Sequence, residues 1–341
     1  MQVLYPNEFL SKAENTPVVD VRSPAEYAEG HISGAFNIPL FSNEERANVG
    51  TVYKQQGRLQ AIELGLDIVG PKMSGFVKEA QALASSGELL VHCWRGGMRS
   101  ESMAWLFERV GIQCFTLKGG YKAYRNLLME ELGTIPHLIV LEGFTGSGKT
   151  EVLQELDQRD EQILDLEGLA NHRGSVFGGV GQGEQPTTQQ FQNNLLAALR
   201  KLDREKRIWV EGESKSIGRV SLPDSFWKNM NQARIIEIEV PVEERVKRVV
   251  KDYGMLERPQ MEKAISSLHK RLGEEQTNMI LELYQTDKLE QVAAMLLSYY
   301  DKTYRYSRDK YKKSDASINL SGINSQEDAG KLVEKANELK L

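Results

Sequence analysis

Gly143-Phe144-Thr145-Gly146-Ser147-Gly148-Lys149-Thr150 follows the apolar run Leu138-Ile139-Val140-Leu141-Glu142 and precedes a helical stretch, Glu151 to Leu156. A glycine-rich loop ending in Lys-Thr between a buried strand and a helix is the Walker A arrangement. It commits this part of the chain to a strand–loop–helix unit inside an α/β layer structure. The backbone N–H groups around Gly143, Gly146, Ser147 and Gly148 would cradle a diphosphate, and Lys149 adds a point charge. Thr150 could hold Mg²⁺ if one is used, a point the motif leaves open. The loop specifies phosphate binding without establishing ATP hydrolysis. Glu211, after the strand Arg207 to Val210, is a candidate to orient a metal-bound water; a solvated strand end accounts for it equally well.

The 341 residues are too many for one ordinary core and suit two. Strand-like and helix-like runs alternate from the start. Pro17 to Val21, Glu88 to His92 and Ile112 to Leu117 read as strands, with helices at Pro24 to Glu29, Ser100 to Val110 and Tyr121 to Leu132. An insertion rich in charged and amide residues occupies about 41–74. A second series offers strands at Gln162 to Leu166, Arg207 to Val210, Ala233 to Val240 and Ala316 to Leu320. The segment 242–310 reads as mainly helical, and Ser325 is placed to cap a last amphipathic helix. The division expected is 1–132 and 133–341, both α/β with parallel sheets, the second carrying helical additions.

Val91-His92-Cys93-Trp94-Arg95-Gly96-Gly97-Met98-Arg99-Ser100 sets a cysteine between a strand and a helix. Such a turn aims backbone N–H groups over the sulfur, and the helix N-terminus, Arg95 and Arg99 add positive potential. These conditions favour thiolate, the nucleophilic form. Gly96 and Gly97 would let backbone approach an anion without side-chain obstruction. Cys114, mid-strand with no basic neighbour, reads as a small core residue. With only two cysteines and five scattered histidines, no disulfide framework or metal-ligand spacing is expected.

Asp20-Val21-Arg22-Ser23-Pro24-Ala25-Glu26-Tyr27, then Gly30-His31-Ile32-Ser33-Gly34-Ala35-Phe36-Asn37-Ile38-Pro39, resembles the opening signature of rhodanese-like domains, and Cys93 stands where their reactive loop follows. Five residues separate Cys93 from Arg99, so the loop also fits the His-Cys-x5-Arg pattern of rhodanese-related phosphatases. A longer loop encloses a phosphate-sized group. A rhodanese-like domain fused to a P-loop NTPase-like domain, in this order, resembles the bacterial tRNA 2-selenouridine synthases. The stretch Asp165 to Gly178, polar and glycine-rich, and the insertion Asn43 to Lys54 extend that likeness.

The resemblance implies an enzyme that acts on wobble 2-thiouridine in the anticodon region of tRNA, and the cytoplasm is the default expected of a chain with no leader or span. Geranyl diphosphate would alkylate the sulfur, and selenium from selenophosphate would then displace the geranylthio group. Cys93 would handle selenium, with Arg95, Gly96, Gly97 and Arg99 on the phosphate end of its donor. The Walker A loop would take the geranyl diphosphate, and Asp165, Glu167, His172 and Arg173 are candidates beside it.

The net charge of −5 argues against wholesale nucleic-acid binding. A local basic surface is still available in Arg245, Lys247, Arg248, Lys251, Lys270 and Arg271. Lys302, Arg305, Arg308 and Lys310 follow, with Tyr299, Tyr300, Tyr304 and Tyr306 interleaved, a mixture suited to phosphate contacts and base stacking. No membrane span and no secretory leader are expected. A small-molecule kinase with a rhodanese accessory domain, a cysteine phosphatase and a sensing module stay open as rivals, and the oligomeric state is not legible.

Overall fold

The computed structural model describes the chain except residues 175–177, 180, 254–256 and 309–313, and omits the side chains of 253, 303 and 305–308. The chain forms two compact units, Met1–Glu130 and Glu131–Leu341.

The first unit runs β1 (Gln2–Leu4), α1 (Pro6–Lys12), β2 (Val18–Asp20), α2 (Pro24–Glu29), β3 (Phe36–Asn37), α3 (Asn43–Gln55), α4 (Arg58–Val69), α5 (Met73–Leu83), β4 (Glu88–His92), α6 (Met98–Glu108) and β5 (Gln113–Leu117). The helix α7 (Gly120–Gly133) crosses into the second unit. The sheet order is β1-β5-β4-β2-β3, every pair parallel. From β4 the chain turns toward β5, whereas from β2 it turns toward β3. The carboxyl ends of these neighbours therefore form the switch point where such sheets bind ligands.

Local chemistry explains the helix starts. Ser23 with Glu26, and Ser42 with Glu45, make reciprocal capping boxes at α2 and α3. The insertion is helical, and α3 and α4 pack on each other. The core joins Val19, Val91, Phe107 and Cys114 with Phe41 and Phe76 from the inserted region. The edge strand β1 was not expected; at three residues with only Leu4 buried, it carries too little pattern to be read.

The second unit contains β6 (Leu138–Gly143), α8 (Lys149–Asp157), β7 (Gln162–Leu164), α9 (Leu166–Ala170), α10 (Thr188–Leu199), β8 (Ile208–Glu211), the hairpin β9 (Ser216–Ile217) and β10 (Val220–Ser221), and α11 (Asp224–Gln232). Then come β11 (Arg234–Glu239), α12 (Val242–Tyr253), α13 (Arg258–Ser267), α14 (His269–Leu272), α15 (Glu274–Gln285), α16 (Leu289–Arg308), β12 (Ala316–Asn319) and α17 (Ser325–Glu338). Its parallel sheet has the order β12-β11-β6-β8-β7, with β6 central. One face of β6 and β11, through Ile139, Leu141, Ile236 and Ile238, packs on α8 and α17.

Three expectations are corrected. The strand from Gln162 ends at Leu164, because the Asp165 side chain accepts from Gly168 N–H and starts α9. The polar stretch after Asp165 accordingly opens with a short helix whose Leu166 and Ala170 are buried. The last helix is capped by Asn324, not Ser325: the Asn324 amide oxygen accepts from the backbone of Gln326 and Glu327.

Candidate active site

Cys93 follows β4 at the sheet's switch point, with only 3% of its surface exposed. Its Sγ lies 3.2 Å from Ser100 Oγ, on the first turn of α6. Burial alone would raise the thiol's pKa. The Ser100 hydroxyl, loop backbone and the Arg99 guanidinium outweigh it, so the pKa falls below the ordinary thiol value. Cys114 has no such partners, and burial pushes its thiol up to about 12.

The two arginines differ. Arg95 is exposed, whereas Arg99 Nη1 donates to Glu26 Oε2 at 2.8 Å. Burial pushes Glu26 upward, but Arg99 reverses the effect and holds it a carboxylate. Glu26 comes from the third position of α2, where it also closes the capping box, so one carboxylate ties α2 to the cysteine loop.

The expectation that both glycines clear a path for an anion needs correction. Gly96 has φ +63°, and a Cβ there would lie 2.4 Å from Leu117 O and 2.8 Å from Gly120 N. Its glycine is demanded by backbone packed on backbone, reinforced by Tyr121 N–H donating to Cys93 O at 2.9 Å. A Cβ on Gly97 would meet nothing within 4 Å, so that residue borders open space.

Beneath the loop, Asp20, Arg22 and His92 are fully buried. Arg22 Nη2 donates to Asp20 Oδ2 at 2.6 Å and its guanidinium lies 3.9 Å from the Tyr121 ring centre. His92 Nε2 is 3.8 Å from the same carboxylate, yet burial keeps the imidazole's pKa below its ordinary value. The group is a fixed polar platform under Cys93.

In the second unit, β6 ends at Gly143 and the Walker A loop turns through positive φ at Gly146 and Gly148 into α8. Lys149 Nζ donates to Gly143 O at 2.9 Å, folding its charge over the loop. Thr150 Oγ1 donates to Glu167 Oε2 at 2.9 Å. Arg248 of α12 crosses beside Gly148 and donates to Gly146 O at 3.2 Å and Glu151 Oε2 at 3.0 Å. Arg245 donates to Thr145 O at 2.9 Å and pairs with Asp301 at 2.6 Å, with 3% of its surface exposed. These two residues, read from the sequence as tRNA-facing, are therefore built into the phosphate loop's support. Arg305, Arg308, Lys310 and Tyr306 lie outside the described side chains.

Glu211 is fully buried and accepts from Leu166 N–H at 3.1 Å and Glu167 N–H at 3.3 Å. A solvated strand end is thus excluded. Burial, together with Asp165 and Glu167, lifts its pKa well above the ordinary range, and its geometry is that of an anchor for α9. Asp165 is likewise occupied as the cap of α9. His172 is buried against Gly178 and Gly218 and does not line the cavity described next.

That cavity, of about 950 Å³, opens over the Walker A loop. Gly143, Lys149 and Thr150 border it together with Glu167, Arg173, Glu213 and Arg248. Glu213 was not singled out from sequence. Burial pushes its carboxyl up; Lys149 opposes this, Glu167 and Glu142 add to it, and the result is about 7. A Cβ on Gly174 would lie 2.7 Å from oxygens of both Glu167 and Glu213, so the two carboxyls share one spot. The cavity's other wall is apolar and aromatic, with Val140, Trp227, Met230, Ile235 and Tyr300. The only sequence signal for this wall was alternation along β6 and β11, which exposes Val140 and Ile235 on the face opposite the core.

A model of the tRNA 2-selenouridine synthase AAA domain matches residues 136–328, and a rhodanese-like domain model matches 6–127. A tRNA 2-selenouridine synthase of Sulfurovum sp. is 37% identical over 336 residues, covering 87% of this chain and 90% of that one. One from Hydrogenovibrio crunogenus is 34% identical over 351 residues, covering 91% and 94%. Among solved structures, shikimate kinase from Bacteroides thetaiotaomicron aligns with 60% of this chain and 98% of its own, at 15% identity and a TM-score of 0.29. With identity sustained through both units, the chain belongs to the tRNA 2-selenouridine synthase family.

Proposed function

We propose that this enzyme, which converts 2-thiouridine to 2-selenouridine in tRNA, divides the conversion between two sites. The Walker A cavity takes geranyl diphosphate, and the Cys93 loop takes selenophosphate. The observation that supports the first assignment best is that one cavity joins the Walker A loop and Lys149 to the apolar side chains of Val140, Trp227, Met230 and Ile235. A diphosphate bearing a hydrocarbon tail meets both. Backbone N–H groups and Lys149 would hold the diphosphate and stabilise its charge as the C–O bond breaks and the thiocarbonyl sulfur takes the geranyl group. Alkylation turns a poor leaving group at C2 into a good one, which selenium then displaces.

For the second site, Cys93 is the thiolate that accepts or activates selenium, and the longer loop with Arg95, Gly97 and Arg99 accommodates the donor's phosphate end. Gly96 shapes the loop. The substrate position is the wobble uridine of the anticodon, reached in the cytoplasm. Arg173 and Glu167 border the diphosphate site; Asp165, His172 and Glu211 support the segment that carries them.

Nucleoside mass spectrometry on 2-thiouridine tRNA incubated with geranyl diphosphate and selenophosphate tests the division. Lys149→Ala is expected to lose at least about 100-fold in geranylation. Cys93→Ala should keep geranylation and lose selenouridine. Loss of both products in both variants, with the proteins folded, would overturn the two-site assignment.

A further inference from the structure

The apolar end of the Walker A cavity has a definite depth, and the residues that close it are identifiable. Val140 and Glu142 of β6 pair in register with Ile235 and Glu237 of β11. Alternation puts these four on one sheet face, opposite the Ile139, Leu141, Ile236 and Ile238 core, and all four line the cavity. The cavity therefore runs along the strands, from the phosphate loop at Gly143 back to Val140. Three residues of strand span about 10 Å.

Charge fixes which way a donor lies in this channel. Lys149 and Arg248 stand at the loop end. Glu142, bonded by the Tyr304 hydroxyl, and Glu237, bonded by Ser314, come next along the face. Glu142 and Glu237 bring carboxyl groups rather than cations to mid-channel, so the donor's anionic head is matched only at the loop, by Lys149 and the loop N–H groups, and the tail extends beyond. Val140 and Ile235 line the cavity together with Trp227 and Met230, one turn apart on α11, which packs on β6. Met230 and Val140 are each 3% exposed, so the apolar end is closed by packed side chains.

We propose that Trp227 and Met230 set the length of the alkyl chain that the enzyme transfers, by closing the channel beyond about two isoprene units. The proposal rests on reading the cavity as the prenyl diphosphate site. A chain one unit longer must displace the half-buried Trp227 indole or the buried Met230 thioether; a shorter one leaves apolar wall unfilled. Each methylene matched or missed in such a pocket changes selectivity by roughly 10- to 200-fold.

The test is a competition in one tube. Full-length enzyme and 2-thiouridine tRNA receive equal geranyl and farnesyl diphosphate, and the S-prenyl nucleosides are counted by mass spectrometry. Wild type should favour geranyl. Trp227→Ala and Met230→Ala should each raise the farnesyl-to-geranyl ratio at least about tenfold. Met230→Phe, in a second competition with dimethylallyl diphosphate, should shift preference toward the shorter donor. The ratio is independent of the folded fraction, so a variant that merely loses stability lowers both products and leaves it unchanged. Unchanged ratios in all three variants would overturn the proposal. If wild type makes no S-prenyl nucleoside from any donor, the donor assignment itself fails, a distinct result.

Discussion

At the scale of single residues, the two cysteines of one domain have opposite chemistry for local reasons. Both are buried, but Cys93 has the Ser100 hydroxyl and Arg99 nearby, whereas Cys114 meets the carbonyl of Ile112 and the charge of Glu108. Iodoacetamide at neutral pH should therefore label Cys93 at least about tenfold faster than Cys114, followed by peptide mass spectrometry. Ser100→Ala should move the labelling midpoint of Cys93 upward by about one pH unit, the worth of one hydrogen bond to a charged group. An unchanged midpoint would mean that the hydroxyl does not stabilise the thiolate. Arg99 was legible in the motif, but its partner Glu26 lies 73 residues away and was visible only as part of a helix cap.

At the scale of elements, both sites are strand–loop–helix turns held by something outside the turn. The cysteine loop rests on the start of α7, backbone against backbone at Gly96 and Gly120. Gly96→Ala should destabilise the first unit by about 3 kcal/mol or more, since its Cβ meets a carbonyl at 2.4 Å in a left-handed conformation. Gly97→Ala should cost under about 1 kcal/mol; comparing the two by chemical denaturation separates shape from space. In the second unit, Glu211 anchors α9 through two amides. Glu211→Ala leaves both N–H groups without that acceptor, and hydrogen exchange in 166–170 should accelerate by at least tenfold, about 1.4 kcal/mol. Protection equal to wild type would remove the anchoring role.

At the scale of the whole molecule, the two units should respond to pH in opposite senses. Burial raises Asp20, but His92 and Arg22 reverse this, so its folded pKa lies below the ordinary 3.8. The unfolded state then binds more protons near that range; the stability this group contributes is present above pH 3.8 and lost on acidification. Glu213 is the reverse case. With a folded pKa of about 7 against an ordinary 4.5, the native state binds the extra proton, and stability falls as pH rises between those values. Heating the full chain at pH 5 and pH 8 should lower the second unit's transition at the higher pH, while His92, whose burial holds its folded pKa below the ordinary 6.5, should lower the first unit's transition at the lower pH. Glu213→Gln should reduce that pH dependence, the remainder coming from Glu211 and Glu167, which are raised in the same sense, and a second-unit transition insensitive to pH in wild type would contradict the shift.

The sequence by itself determined the two α/β units, most of their strands and the strand–loop–helix turns at Cys93 and Gly143. Each of those is written in a short run: an apolar strand, a glycine turn and a helix start, whose geometry follows from neighbouring residues. It also carried the family, through motifs contiguous in the chain. Tertiary structure alone decided what surrounds the loops. Arg245 and Arg248 looked like surface cations on an amphipathic helix, yet burial and the partners Asp301 and Glu151 turn them to the phosphate loop. Glu142 meets Tyr304 across 162 residues, and Trp227 and Met230 close a channel begun at Gly143. Periodicity encodes which face of an element is apolar, but not which distant element covers it. A cavity is defined by the gap between such elements, and so it exists only once they have packed.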